Sequence, residues 1–100
     1  MDSALFYFNK ALALKMRHGD SYDKADAHNN LSVFYYKNKK FKEGLECGYK
    51  ALGFLDTTIF SRQLVNTYAI LQEGYNATKD FKNELTYYKK YKAASDSSDL

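Results

Sequence analysis

Apolar side chains recur along this chain at intervals of three and four residues rather than two. Between Ala25 and Asn38, the residues Ala27, Leu31, Phe34, Tyr35 and Asn38 share one face of a period of about 3.6 residues, which predicts a helix. Phe41, Leu45, Gly48, Ala51, Leu52 and Leu55 predict a second helix directly after it. The joint Asn38-Lys39-Lys40 is polar and short, so the two helices must fold back as an antiparallel hairpin. Leu64, Tyr68, Leu71 and Tyr75 predict the first helix of another pair. Phe81, Leu85, Tyr88 and Tyr91 predict its partner, with Asp80 as N-cap. Ala4, Leu5, Phe8, Ala11 and Leu12 give one further helix, which should end near His18. Gly19-Asp20-Ser21 and Asp56-Thr57-Thr58 punctuate the chain between units. The expected fold is all-α, with five helices and no strands.

The pattern also repeats in register. Leu5, Leu45 and Leu85 lie forty residues apart, as do Lys10, Lys50 and Lys90. The pairs Ala11/Ala51, Leu12/Leu52, Leu31/Leu71, Tyr35/Tyr75, Lys39/Lys79, Phe41/Phe81 and Lys42/Lys82 keep the same step. An internal period of that size implies stacked supersecondary units, each too small to bury its apolar face alone. The units expected are 1–18, the second helix of a partial repeat; 22–56 and 59–94, two full repeats; and 95–100, a polar tail that should fray.

With these residues in place, the chain resembles the tetratricopeptide repeat family, whose unit is roughly 34 residues. Laid on that pattern, Leu31-Ser32 takes the place of Leu-Gly, Tyr35 that of the first-helix Tyr, and Gly44-Leu45 and Ala51-Leu52 those of the two Ala-Leu pairs. Leu71, Tyr75, Phe81, Leu85 and Tyr88 match in the second copy, and Ala4-Leu5, Phe8 and Ala11-Leu12 in the half unit. His28 and Tyr68 stand at the family's Trp position, Gly48 where a large aromatic is usual, and Glu84 where a small residue is usual. The terminal proline is missing. The longer step, with Leu14–Asp20 and Asn29-Asn30-Leu31-Ser32, is similar to the lengthened repeats of kinesin light chains and of bacterial regulators. In the latter, such arrays often precede a histidine kinase or a helix-turn-helix output domain, and this chain contains neither. The resemblance implies a right-handed superhelical stack of antiparallel helix pairs, an α-solenoid. It also implies a protein- or peptide-binding scaffold that is either a piece of a longer array or a free-standing remnant.

Packing logic assigns most aromatics to the core. Antiparallel helices approach closely where a side chain is small, so Ala4 and Gly44 are expected crossing points. Tyr35, Phe41, Tyr75 and Phe81 should fill the space between pairs. An unpaired helix at one end and an uncapped one at the other should leave apolar flanks, through which the chain could associate with itself.

Composition removes other chemistries. The net charge of +3 is too small to demand a polyanion, and only two arginines accompany the lysine clusters at 37–42, 79–82 and 89–92. Lysine interleaved with tyrosine could suit single-stranded nucleic acid, but solvated loops explain it better. One cysteine excludes a disulfide framework and a Cys-rich zinc site. His18 and His28 lie about 280° apart around a helix, so they share no face. Cys47 with His28 is the one conceivable nucleophile pair, and mid-helix placement reads as an inert small hydrophobe. The five single glycines cradle no phosphate. No catalytic group, cofactor or metal is expected. No leader-like start and no run long enough to span a membrane is present in the sequence, and the cell compartment stays open.

What remains is a candidate ligand surface on the first helices of the pairs. Beside the face Ala27, Leu31 and Tyr35 runs the stripe Asp26, Asn29, Asn30, Val33, Tyr36 and Lys37. Forty residues on lie Asn66, Ala69, Ile70, Glu73, Asn76 and Ala77. Amides here can donate to and accept from a peptide backbone, while apolar neighbours make side-chain pockets. The resemblance agrees at Asn30 and departs at Ile70. Asn29 and Val33 do not reproduce the basic carboxylate clamp of chaperone-binding members. Asn30 and Tyr36 are expected at the surface, where alanine would leave helicity intact.

Overall fold

The computed structural model describes residues 2–98, and among them the chain is all-helical with no strand. The five helices are α1 (Asp2–His18), α2 (Ser21–Lys37), α3 (Phe41–Gly53), α4 (Arg62–Ala77) and α5 (Phe81–Ser98). Their ends follow from local chemistry. The Asp20 carboxylate accepts from the Asp23 amide at 2.8 Å while the Asp23 carboxylate accepts from the Asp20 amide at 3.4 Å, a reciprocal capping box that starts α2. Ser61 caps α4 by accepting from the Leu64 amide at 3.2 Å. Asp80 is placed as the sequence predicts, accepting from the Asn83 amide at 3.4 Å. Asp56 accepts from both the amide and the hydroxyl of Thr58, a local turn that delays the start of α4.

The two hairpin joints, forty residues apart, share one conformation. Lys39 has φ 60° and Lys79 φ 61°, both left-handed. In each, the residue after that lysine returns its amide to a tyrosine carbonyl: Lys40 to Tyr35 and Asp80 to Tyr75, both at 2.9 Å. These bonds close the helix ends as Schellman turns, satisfying carbonyls that α2 and α4 would otherwise leave open.

α2 pairs antiparallel with α3, and α4 with α5, across these joints. α3 packs on α4, α1 on α2, and α2 also touches α4. α2 and α4 run side by side in the same direction, because Asp26 meets Gln63, Asn29 meets Thr67 and Tyr36 meets Ile70 in order along both. Leu64, Tyr68 and Ala94 form a core cluster backed by Leu52, Leu55, Val65, Tyr87 and Tyr91. Fully buried leucines such as Leu64 and Leu71 stabilise the fold by about 1.5–3 kcal/mol each.

Several sequence expectations shift. α5 continues past the expected boundary at residue 95 to Ser98, and Ala94 is fully buried; residues 99–100 lie outside the described ones. Gly44 is a crossing point, whereas the side chain of Ala4 lies outside the described residues. Phe81 fills no gap; it is 62% exposed. The buried sector of α2 is displaced from Ala27–Leu31–Tyr35, of which only Leu31 is buried while Ala27 and Tyr35 are half-buried. It takes in His28, Asn29, Ser32 and Tyr36, because α3 and α4 cover α2 from two directions. Ser32 enters that sector with a partner, donating to the Gly44 carbonyl at 2.7 Å.

Candidate binding groove

An open groove follows the remaining face of α2. On the α4 side, Asp26, Asn29, Asn30, Val33, Asn66, Ala69 and Ile70 enclose a depression of about 260 Å³. It continues into one of about 320 Å³ between Val33, Lys37, Glu73, Asn76 and Ala77, with Tyr36 and Phe41 at its base. Across α2, Phe8, Asn30, Val33, Phe34 and Lys37 line a third depression of about 400 Å³. A fourth, of about 290 Å³, runs between Phe8, Ala11, Leu12 and Lys15 on α1 and Asp23, Asp26, Ala27 and Asn30 on α2. Val33 borders the first three and joins them into one surface.

Apart from Ala69 and Ala77, the stripe residues divide into three groups. Asn30, Val33, Lys37, Asn66 and Glu73 are exposed along the groove, and among the described residues Asn30 and Asn66 have no hydrogen-bond partner. Asp26 and Asn76 stand at the rim with partners: Gln63 donates to Asp26 at 3.3 Å, and Asn76 donates to Glu84 on α5 at 2.8 Å. Asn29, Tyr36 and Ile70 are buried. The Thr67 hydroxyl donates to the Asn29 carbonyl oxygen at 3.1 Å, while the Asn29 amide nitrogen is buried without a partner.

Tyr36 corrects the sequence reading most. It is 8% exposed, and its hydroxyl donates to the Ile70 carbonyl at 2.7 Å. Its ring lies on Gly44 and its hydroxyl under Gly74; a β-carbon at either glycine would collide with it. Burial pushes its pKa up to about 12, so it holds its proton and remains a donor. Tyr36 therefore fastens α2 to α3 and α4 and forms the floor, not the ligand-facing wall, of the groove.

The contribution of α1 is absent from the sequence reading, although the repeat carries its signal. α1 stands to α2 as α3 stands to α4, and Phe8 is the forty-residue equivalent of Gly48. Gly48 lets Leu71 approach so closely that a β-carbon there would lie 2.9 Å from its methyl group. At the same position in α1, the Phe8 ring packs tilted against Phe34, 4.9 Å between centroids, so a large side chain stands where α3 has none. That wedge opens the cleft on the α1 side.

Two other clusters lie outside the groove. The Tyr49 and Tyr75 hydroxyls are hydrogen-bonded at 2.5 Å, and Tyr87 stacks on Tyr75 at 5.9 Å while meeting Tyr49 edge-on. Burial and this bonding push the Tyr49 pKa well up, so its hydroxyl keeps its proton in a tie between α3, α4 and α5. His28 stacks on Phe54 at 5.5 Å, its Nδ1 buried and unpartnered. Burial and the Lys50 charge lower its pKa. Cys47 is buried, and burial raises its thiol pKa. Neither residue has the exposed, activated character of a nucleophile or base. Among the described residues no three His, Cys, Asp or Glu side chains converge, and no helix is long and apolar enough to cross a membrane.

Comparison with family models, with curated proteins and with solved structures returned no match for this chain.

Proposed function

We propose that this chain is a protein- or peptide-binding scaffold of the tetratricopeptide-repeat kind, a right-handed stack of helix pairs whose first helices line the ligand side. The observation that carries this reading is the groove along α2 and α4, where Asn30 and Asn66 offer amides that the protein does not use itself. Val33, Ala69 and Phe8 supply apolar surface beside them. From Asp26 to Lys37 the groove floor runs about 17 Å along the helix, which suits about five residues of extended peptide. Amides bond the peptide backbone and the depressions on either side of Val33 take alternate side chains. The parallel course of α2 and α4, the shared joint conformation and the forty-residue step support the repeat-stack reading.

The test is selection of binders from a displayed library of random peptides against the 100-residue chain. Selected peptides should lose about tenfold or more in affinity for Val33→Asp and Asn66→Ala variants whose circular dichroism and melting are unchanged. Failure to select any peptide, or binding that ignores both substitutions, would remove the groove reading.

A further inference from the structure

We infer that the outer face of α5 is a second docking surface, which takes an acidic amphipathic helix from a partner protein in the manner that α3 takes α4. The pattern for the contact is internal. α3 turns Phe41, Leu45 and Gly48 toward its neighbours, with Leu45 seated against Gly74 and Gly48 beneath Leu71 and Ile70. Forty residues on, α5 carries Phe81, Leu85 and Tyr88 at the same positions and leaves them 62%, 53% and 44% exposed. They follow each other at helical spacing and form one stripe. The fold does not need them, because the opposite side of α5 supplies Tyr87, Tyr91 and Ala94 to the core.

Charge identifies the occupant. Between Phe41 and Leu52, α3 has two lysines and two glutamates; between Phe81 and Lys92, α5 has four lysines and one glutamate. That glutamate, Glu84, already accepts a hydrogen bond from Asn76. At about 100° per residue, Lys82 and Lys89 border the stripe on one side, Lys92 continues it, and Glu84, already engaged by Asn76, lies on the other side. Lys92 meets only the exposed Asp96, at 3.8 Å. An apolar stripe with lysine along one edge is complementary to a helix whose own apolar stripe carries Asp and Glu along the facing edge. Because Tyr88 stands where α3 has glycine, the docked helix needs small residues where α4 has Ile70 and Leu71. A second copy fits less well. The α5 face is itself basic, and α1, whose Phe6, Tyr7 and Leu14 are exposed, carries Lys10, Lys15 and Arg17. Either pairing would set like charges against each other.

The surface lies on a different helix from the groove, so its test is separate. The probe is a fluorescein-labelled helical peptide of about 18 residues, with leucines at i, i+3, i+4 and i+7, alanine at the crossing, and glutamates on the border that faces Lys82 and Lys89. Anisotropy with the intact chain should show saturable binding that weakens with salt. Leu85→Asp, or Lys82→Glu with Lys89→Glu, should weaken it about tenfold or more, whereas the groove variant Val33→Asp should not change it. These side chains are exposed, and circular dichroism of each variant confirms an intact fold. Absence of binding, equal binding of the same peptide with lysine in place of glutamate, or indifference to Leu85→Asp would overturn the inference. So would a Leu85-dependent doubling of mass in sedimentation, which would make the occupant a second copy. Leu85-dependent binding to phosphatidylserine vesicles in place of the peptide would overturn it in favour of a lipid surface.

Discussion

The hydroxyl of Tyr36 occupies the space that a β-carbon on Gly74 would need, and from there it donates to the Ile70 carbonyl at 2.7 Å. One side chain thereby locks three helices, since its ring also lies on Gly44 of α3. Tyr36→Phe should cost about 0.5–1.5 kcal/mol, the net worth of the lost hydrogen bond, because the Ile70 carbonyl keeps its place in the α4 ladder. Gly74→Ala should destabilise by about 1–3 kcal/mol through overlap with Tyr36 and with Leu45, whose methyl group lies 2.6 Å from the new carbon. Removing the hydroxyl first should relieve part of that clash, so the double variant should lose less than the two single losses together. Urea denaturation of the four proteins checks this, and strict additivity would contradict the lock.

That lock shows how far the sequence could be read. Helix number, the hairpin joints and the caps at Asp20 and Asp80 follow from spacing and polar punctuation, which act within a few residues. The burial of Tyr36 does not, because it depends on Gly44 and Gly74 in other helices making room together. Asn29 is hidden for the same kind of reason, its partner Thr67 lying 38 residues away. Asn30, Val33 and Asn66 were legible as a surface stripe because helical periodicity alone sets their direction. The wedge at Phe8 could be found only by comparing it with Gly48 across the repeat. Phe81 and Leu85 look like core in sequence and are exposed because no helix covers that side of α5 among the described residues.

The left-handed lysines give a second prediction. Lys39 and Lys79 hold φ near 60°, where a β-carbon is unfavourable and glycine is at ease. Lys39→Gly and Lys79→Gly should each stabilise the chain by about 0.5–1 kcal/mol, and the two should add because the joints are separate. Thermal melts of the single and double variants measure this. A loss of stability in either would mean that the joint is held by the lysine side chain and not by its backbone.

His28 should make stability sensitive to mild acid. Its pKa is lowered from the ordinary 6.5 in the folded chain by burial and by Lys50, so the unfolded chain takes the proton first. Stability is therefore full above the unfolded value and falls as the pH drops through it toward the depressed folded value, levelling off below. His28→Phe, which keeps the stack on Phe54, should lose less melting temperature than the wild type between about pH 7.5 and pH 5. Parallel pH profiles for the two proteins would contradict the assignment.

Cys47 reports on the same interior. It is buried and its thiol is held above the usual range by burial, so alkylation at neutral pH should be slow and should accelerate on denaturation. Tyr36→Ala should raise the native rate, because Cys47 lies on the helix that Tyr36 fastens. An unchanged rate in that variant, with wild-type melting, would place the lock elsewhere.

The central claim is that α2 and α4 together form a ligand-binding groove. It is tested most directly by amide chemical-shift mapping with the tightest peptide selected from a random library. The largest shifts are expected at Asn30, Val33, Lys37, Asn66 and Glu73, with Phe8 following and the outer face of α5 unmoved. Shifts confined to α5, or spread evenly over all five helices while the groove residues stay still, would contradict it.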